Sequence, residues 1–85
     1  MHRTEKRFVY VLRSVADPSR PYIGITSNVA ARLATHNAGC SPHTTKYRPW
    51  ELVVSIEFAN EYRALEFERY LKSGSGRAFT NRHFT

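Results

Sequence analysis

The segment YVLRSVADPSRPYIGITSNVAARLATHN, residues 10–37, combines two short apolar runs with a helical pattern. The first run belongs to residues 7–13, RFVYVLR, whose alternation and β-branched and aromatic types predict a strand. DPSRP at 17–21 has turn chemistry, because proline fixes φ and aspartate can bond its own backbone. YIGI at 22–25 has strand composition again. We therefore predict a hairpin with a long loop between its strands.

The end of the same segment predicts a helix. Thr26, Ser27 and Asn28 offer N-cap oxygens, and the apolar residues of 29–37 recur at helical spacing. Gly39 is expected to end this helix, because glycine readily adopts the left-handed conformation of a C-cap.

The next part of the chain predicts another strand and another helix. Residues 40–49 are polar and loop-like, and WELVVSIEF at 50–58 returns to strand composition. Asn60 is the expected N-cap of a helix over residues 61–72.

Two glycines and the C-terminal segment complete the predicted order. Gly74 and Gly76 are expected to stop the second helix, and RAFTNRHF, residues 77–84, to form a short helix that packs on the sheet. The order β-β-α-β-α-α indicates an α+β protein with a three-stranded sheet. A length of 85 residues indicates a single domain, 1–85, with its core at about 7–84.

The composition favours a polyanionic partner. Thirteen Lys and Arg against seven Asp and Glu give a formal net charge of +6, spread over most of the length. Cationic side chains that neutralise phosphates release condensed counterions, which favours binding. No run of about 18 apolar residues and no secretory signal is present, so we expect a cytoplasmic protein that does not bind membranes. Cys40 is expected to be a surface thiol.

Arg32 and His36 are the first candidates for chemistry. A rotation of about 100° per residue places them on one edge of the first predicted helix, beside its apolar stripe. There an arginine can bind a phosphate with two donors, and a neutral histidine can accept or pass a proton. On spacing alone, a solvated arginine and a half-buried histidine with one backbone bond is the more common arrangement.

Glu68 differs from the other glutamates of the second predicted helix. The helical wheel places it among Ala64, Leu65 and Leu71, with Lys72 one turn further. A carboxylate at the edge of a core costs desolvation unless a hard cation or a cationic side chain offsets it. A simple i,i+4 pair with Lys72 is the alternative that requires no function.

Two segments suit contact with nucleic acid. SPHTTKYRPW at 41–50, which contains Lys46 and Arg48, mixes cations with aromatic side chains. SGSGR at 73–77 can form a backbone nest for an anion, with Arg77 beside it. A helix stop followed by a flexible turn explains the second segment equally well.

In their order along the chain, these motifs resemble the GIY-YIG nuclease domain, in particular its small stand-alone bacterial members. VYV at 9–11 corresponds to the family's first tripeptide without its glycine, and YIG at 22–24 corresponds to the second. The further matching segments are ARLATHN, HTTKYRPWELV, ALEFERYLK and SGSGRAF. Together they cover about residues 7–84.

The resemblance implies a three-stranded antiparallel sheet flanked by helices, and hydrolysis of a DNA phosphodiester with one divalent cation. It implies that Glu68 binds the metal and that Arg32 clamps the phosphate. Tyr10 and Tyr22 would activate the water, and His36 would lie near the same water. Mg²⁺, or Mn²⁺, suits a site with one carboxylate, because Mg²⁺ keeps most of its waters. The expected nucleic-acid contacts are Lys46, Arg48, Lys72, Arg77 and, as a loose match to the family's late polar residue, Asn81.

The resemblance also indicates a biological role and leaves an alternative. It implies a DNA endonuclease in repair or recombination, with RNA still open as a substrate. Excision-repair relatives have a lysine directly after the second tripeptide, where this chain has Ile25, so one cation near the water is missing. Without a second domain for sequence recognition, we expect weak specificity or a protein partner for targeting. The alternative is a nucleic-acid-binding module of the same fold with little or no turnover, and the oligomeric state is open.

Overall fold

Three strands and four helices follow one another along residues 6–84, the part of the chain that this computed structural model describes. In chain order they are β1 (Arg7–Ser14), β2 (Pro21–Thr26), α1 (Val29–Ala38), α2 (Pro42–Thr45), β3 (Trp50–Phe58), α3 (Glu61–Leu71) and α4 (Gly74–His83). The predicted α+β class and the order of the longer elements are confirmed. Within this range, none of the helices is both long and apolar enough to cross a bilayer.

β1 is the central strand of an antiparallel sheet with the order β2-β1-β3. Its side chains alternate between two apolar cores, because successive residues of a strand point to opposite faces. Val9 and Val11 pack in the core that α3 and α4 cover. Tyr10 and Leu12 pack with Trp50 in the core that α1 covers. Both faces of β1 are therefore buried, and a polar side chain on this strand must find a partner inside the protein.

Side-chain caps explain where the longer helices begin. Oδ1 of Asn28 accepts the N–H of Ala31 at 3.0 Å, which starts α1. Oδ1 of Asn60 accepts the N–H groups of the second and third residues of α3. Gly39 has a φ of 82° and ends α1, so the three capping predictions are confirmed.

The prediction of a loop over residues 40–49 is wrong in part. Pro42–Thr45 forms one helical turn, α2, with the proline at its start, where a missing N–H costs nothing. This turn packs beside α1 and places Thr44 in the interior, where it is 1% exposed.

The expected role of the two late glycines is also wrong. α3 ends at Leu71, before Gly74 and Gly76, and both glycines lie in the first turn of α4. The hydroxyl of Ser73 caps this helix by accepting the N–H of Gly76 at 3.1 Å. A β-carbon at Gly76 would lie 2.5 Å from Cα of Leu71. Glycine is therefore required because the two helices approach each other closely at this point.

Candidate active site

Tyr10, His36 and Thr44 form a buried chain of hydrogen bonds on the α1 side of the sheet. Tyr10 is 1% exposed, and its hydroxyl oxygen lies 3.0 Å from Nε2 of His36. Nδ1 of His36 lies 2.8 Å from Oγ1 of Thr44. The imidazole is fully buried, and each of its ring nitrogens is hydrogen-bonded to a protein side chain. The alternative of a half-buried histidine with one backbone bond is therefore wrong.

The Thr44 hydroxyl indicates which nitrogen of His36 bears the proton. Its Oγ1 lies 3.4 Å from the carbonyl oxygen of Ser41, which can only accept a hydrogen bond. We assign the Thr44 proton to this bond, so that Oγ1 accepts the Nδ1–H of His36. Nε2 is then an acceptor, and the Tyr10 hydroxyl donates to it. Burial and, to a smaller degree, the nearby Arg32 lower the pKa of His36, which keeps the ring neutral.

The hairpin and α1 bring these side chains together. Tyr10 pairs with Gly24 across the β1–β2 ladder, and a β-carbon at Gly24 would lie 2.5 Å from the Tyr10 hydroxyl oxygen. The tyrosine side chain can cross β2 here because the strand has no side chain at that position. α1 packs Val29 and Leu33 against the same core, which fixes His36 in the last turn of the helix.

Arg32 lies one helical turn before His36 and interacts with the Tyr10 hydroxyl. That interaction raises the pKa of the guanidinium, so it stays charged. Its Nε is buried and has no hydrogen-bond partner among residues 6–84. A buried donor without a partner is unfavourable, and an anionic oxygen would satisfy it. Arg32 is thus suited to bind a phosphate, and it is not the solvated arginine of the alternative prediction.

The electrostatics around Tyr10 do not favour its ionisation. Burial raises the pKa of Tyr10 above its ordinary value of 10.0, and Arg32 opposes this effect only in part. Tyr22 and the carboxylate of Glu68 add to the increase. Burial therefore disfavours a free Tyr10 phenolate near neutral pH, whereas the hydrogen bond to His36 offers the hydroxyl proton an acceptor.

Tyr22 occupies the open side of the same cluster. The centroid of its ring lies 4.8 Å from that of His36 in an edge-on arrangement, and 6.2 Å from the Tyr10 and Trp50 ring centroids. Its side chain is partly exposed, whereas Tyr10 is buried. Tyr22 is thus held by aromatic contacts on one side and accessible to a ligand on the other.

Glu68 is the carboxylate of α3 that the structure brings near this cluster. Its Oε2 pairs with Nζ of Lys72 at 2.9 Å, so the predicted i,i+4 alternative is formed, and the Glu68 side chain is only 17% exposed. Its charge also acts on the Tyr10 hydroxyl. Residues 6–84 contain no group of three or more His, Cys, Asp or Glu that could hold a metal. A single carboxylate fits Mg²⁺, which binds through one or two carboxylates and keeps several waters.

The structure divides the five expected nucleic-acid contacts between two places. Lys72, Arg77 and Asn81 line one groove of about 700 Å³. Lys46 lies outside it, with its Nζ 5.7 Å from the centroid of the Tyr47 ring. Arg48 is also outside, and its Nε donates to the carbonyl of Thr45 at 3.0 Å. Arg48 therefore helps to hold the α2 segment, although its side chain remains exposed.

The sequence patterns did not identify three residues of this region. Thr44 holds His36, Gly24 makes room for Tyr10, and the guanidinium of Arg20 lies 4.5 Å from the Tyr47 ring centroid. Periodicity and charge do not distinguish any of them. Thr44 and Gly24 lie in the family-like segments HTTKYRPWELV and YIG, which could have pointed to them. Arg20 lies in a turn outside these segments, and nothing in the sequence pointed to it.

Comparison with known proteins supports the resemblance of the motifs. The family model described as the GIY-YIG catalytic domain matches residues 6–82. Structure-specific endonuclease subunit slx1 of Talaromyces marneffei is 45% identical over 65 residues, which are 69% of this chain and 17% of that protein. Structure-specific endonuclease subunit SLX1 of Candida dubliniensis is 38% identical over 82 residues, 88% of this chain and 27% of that protein. This chain thus spans about a quarter or less of these relatives.

Proposed function

The chain belongs to the GIY-YIG family, and from this premise we propose that it is an endonuclease that hydrolyses phosphodiester bonds in DNA. The observation that supports this most strongly is the buried Tyr10–His36 hydrogen bond beside the unpartnered Nε of Arg32. It joins a hydroxyl, a neutral proton acceptor and a free cationic donor in one place. The name of the relatives, structure-specific endonuclease subunit, agrees with this activity and favours a role in DNA repair or recombination.

The proton of the attacking water would pass through Tyr10. As the Tyr10 oxygen accepts a proton from water, its own proton moves to Nε2 of His36 along the 3.0 Å hydrogen bond. This concerted transfer avoids a free phenolate, which burial of Tyr10 disfavours, and the lowered pKa of His36 then favours onward release of the proton. Tyr22, on the accessible side of the cluster, would orient the water.

Arg32 would bind the scissile phosphate. Negative charge grows on the non-bridging oxygens as water attacks, and a fixed guanidinium stabilises that charge more in the transition state than in the ground state. The Nε of Arg32 has no hydrogen-bond partner among residues 6–84, so a donor is left for the phosphate once the partly buried side chain turns toward it.

Glu68 would hold one divalent cation, Mg²⁺ or Mn²⁺, which when bound supplies a Lewis acid for the phosphate and the water. Nζ of Lys72 pairs with Oε2 of Glu68, so a cation bound by this carboxylate would compete with the ammonium. DNA phosphates would offer the Lys72 ammonium another partner.

The alternative function is binding of nucleic acid with little or no turnover. It accounts equally well for the net charge of +6 and the cation-lined groove. It gives no role to a hydroxyl that donates to a fully buried, neutral histidine, a polar arrangement that costs desolvation. The endonuclease is therefore the better supported proposal.

The setting of the enzyme is also part of the proposal. We place the protein in the cytoplasm as a single domain whose DNA target is selected by a protein partner, since its relatives are named as subunits. RNA remains a second polyanionic substrate to be compared with DNA.

Nicking of a supercoiled plasmid tests the proposed activity. The purified protein should convert the plasmid to open circles with Mg²⁺ or Mn²⁺, and EDTA should stop the reaction. Binding of the same plasmid in EDTA without nicking under either metal would favour the binding module instead.

A further inference from the structure

Asn37, the residue after His36, holds the start of β3 with both ends of its carboxamide. Its Oδ1 accepts the backbone N–H of Trp50 at 2.6 Å, and its Nδ2 donates to the backbone carbonyl of Trp50 at 3.0 Å. β3 is an edge strand, so backbone groups on its outer side cannot bond to another strand of the sheet. A carboxamide carries an acceptor beside a donor and can replace that strand. Asn37 thus fastens the last turn of α1 to the sheet.

Trp50 connects this contact to Thr44. Its indole Nε1 donates to the carbonyl oxygen of Thr44 at 2.8 Å, and Trp50 is only 5% exposed. α2 has four residues, too few for a helix that is stable by itself, so contacts from outside must hold it. The indole ring is packed in the core on the α1 side of the sheet, which fixes the direction of its N–H. Trp50 therefore fixes the backbone of the residue whose hydroxyl bonds Nδ1 of His36.

These bonds form a closed set around the imidazole. His36 bonds the hydroxyl of Thr44, and the carbonyl of Thr44 accepts from Trp50. Trp50 in turn bonds Asn37, the chain neighbour of His36. A polar network whose members are all satisfied is rigid, because none can shift without weakening a bond elsewhere. We call Asn37, Thr44 and Trp50 the His36 bracket.

The His36 bracket favours one orientation of the ring. The proposed proton transfer requires Nε2 to accept from the Tyr10 hydroxyl, so the proton of the neutral ring must be on Nδ1. The Thr44 hydroxyl oxygen, 2.8 Å from Nδ1, favours this tautomer. If α2 moved away, the ring could turn over or carry its proton on Nε2, and the Tyr10 hydroxyl would lose its acceptor.

We propose that Asn37 and Trp50 are positioning residues, which act on the reaction through Thr44 by holding the His36 imidazole in its accepting orientation. Neither side chain contacts the water or the phosphate in this role. Their effect on cleavage rests on the proposed nuclease function, whereas their effect on the imidazole can be measured without DNA or metal.

Two substitutions separate the His36 bracket from the packing of the core. Trp50→Phe keeps an aromatic ring and removes the indole donor, and Asn37→Ala removes both bonds to β3 from an exposed position. Asn60→Ala is the matched control, because Asn60 is also an exposed asparagine that bonds two backbone groups, at the start of α3. Urea unfolding identifies conditions in which the parent and the variants are folded. If Trp50→Phe does not fold, the comparison of Asn37→Ala with Asn60→Ala decides the proposal.

Nuclear magnetic resonance of the His36 ring tests its orientation. In the parent, the ¹⁵N shifts should show a single tautomer with the proton on Nδ1, and this proton should exchange slowly with water because the ring is fully buried. In Trp50→Phe and Asn37→Ala the exchange should be at least about tenfold faster, because the site opens more often. Asn60→Ala should exchange like the parent. The parent's tautomer and exchange rate in both bracket variants would overturn the proposal.

Single-turnover nicking with saturating plasmid measures the effect on cleavage. Trp50→Phe and Asn37→Ala should each slow nicking by about fivefold to tenfold without weakening the binding of DNA, whereas Asn60→Ala should nick at the parent rate. Faster proton exchange together with a parent-like nicking rate would also overturn the positioning role. If the parent itself does not nick, the proposed function fails, and the imidazole measurement alone decides whether the bracket holds His36.

Discussion

The Tyr10 hydroxyl lies 3.0 Å from Nε2 of His36, although 26 positions separate the two residues in the chain. The bond is buried, and a second bond from Nδ1 to Thr44 completes the hydrogen bonding of the imidazole. Each of the three side chains comes from a different element: one from β1, one from α1 and one from α2. The chain of three side chains thus gives the buried tyrosine a defined route for its proton.

Thr44 is predicted to act as a positioning residue. Thr44→Val keeps the shape of the side chain but leaves Nδ1 of His36 without its acceptor, which should destabilise the protein by about 1–3 kcal/mol and slow nicking by about tenfold. Thr44→Ser restores the hydroxyl and should recover most of the rate. If both variants lose stability but nick at the same rate, Thr44 contributes only to packing. Urea unfolding and single-turnover nicking provide the two measurements.

The stability of the protein should depend on pH through His36. Burial lowers the pKa of His36 in the folded protein below the ordinary value of 6.5. Between these two values the unfolded chain binds a proton that the folded protein does not, so the free energy of unfolding falls as the pH decreases below about 6.5. Above that pH the contribution of the neutral, hydrogen-bonded ring is complete. Urea unfolding from about pH 5 to 8 should show this slope in the parent, and a much smaller slope in His36→Gln. Equal slopes would mean that other groups cause the pH dependence.

Removal of Lys72 should strengthen binding of a divalent cation. Its ammonium pairs with Glu68 at 2.9 Å and competes with a metal for the same carboxylate. Lys72→Met should therefore bind Mn²⁺ several-fold more tightly in calorimetry without DNA. Arg63→Met, which breaks the exposed pair with Glu66 on the same helix, is the matched control and should leave Mn²⁺ affinity unchanged. Parent-like affinity in Lys72→Met would place the metal elsewhere.

Glu66 and Glu68, two of the three glutamates of α3, provide a sharp comparison of metal dependence. Glu68→Gln keeps the volume of a mostly buried side chain and should abolish metal-dependent nicking while the protein remains folded. Glu66→Gln changes an exposed residue paired with Arg63 and should nick like the parent. Binding of DNA by Glu68→Gln should survive in EDTA. If both variants nick at the parent rate, Glu68 is not the metal ligand.

The sequence predicted the fold well where local chemistry determines structure. The strand at 7–13 and the caps Asn28, Asn60 and Gly39 depend on propensity and on side chains that bond nearby backbone. The first turn of α4 was missed because glycine usually breaks helices, whereas here the close approach of two helices requires Gly76. Tertiary contact outweighed local preference at that position.

The candidate site was predicted only in part, for a related reason. The wheel position of Glu68 and the edge position of Arg32 and His36 follow from helical spacing within a single element. The contact of Thr44 with His36 and the stacking of Arg20 on Tyr47 join separate elements across loops, and no spacing rule reports such contacts. The rise in the pKa of Tyr10 likewise reflects burial, which becomes visible only when both faces of β1 are covered.

The central claim is that Tyr10 and Tyr22 act on the attacking water, and single-turnover cleavage of a saturating oligonucleotide duplex tests it most directly. Tyr10→Phe and Tyr22→Phe should each slow cleavage by at least about tenfold, roughly 1.4 kcal/mol of barrier, with little loss of DNA affinity. The double variant should lose much less than the product of the two effects, as expected for groups that act as one unit. Parent-like rates from both single variants would contradict the account and leave the tyrosines as packing residues.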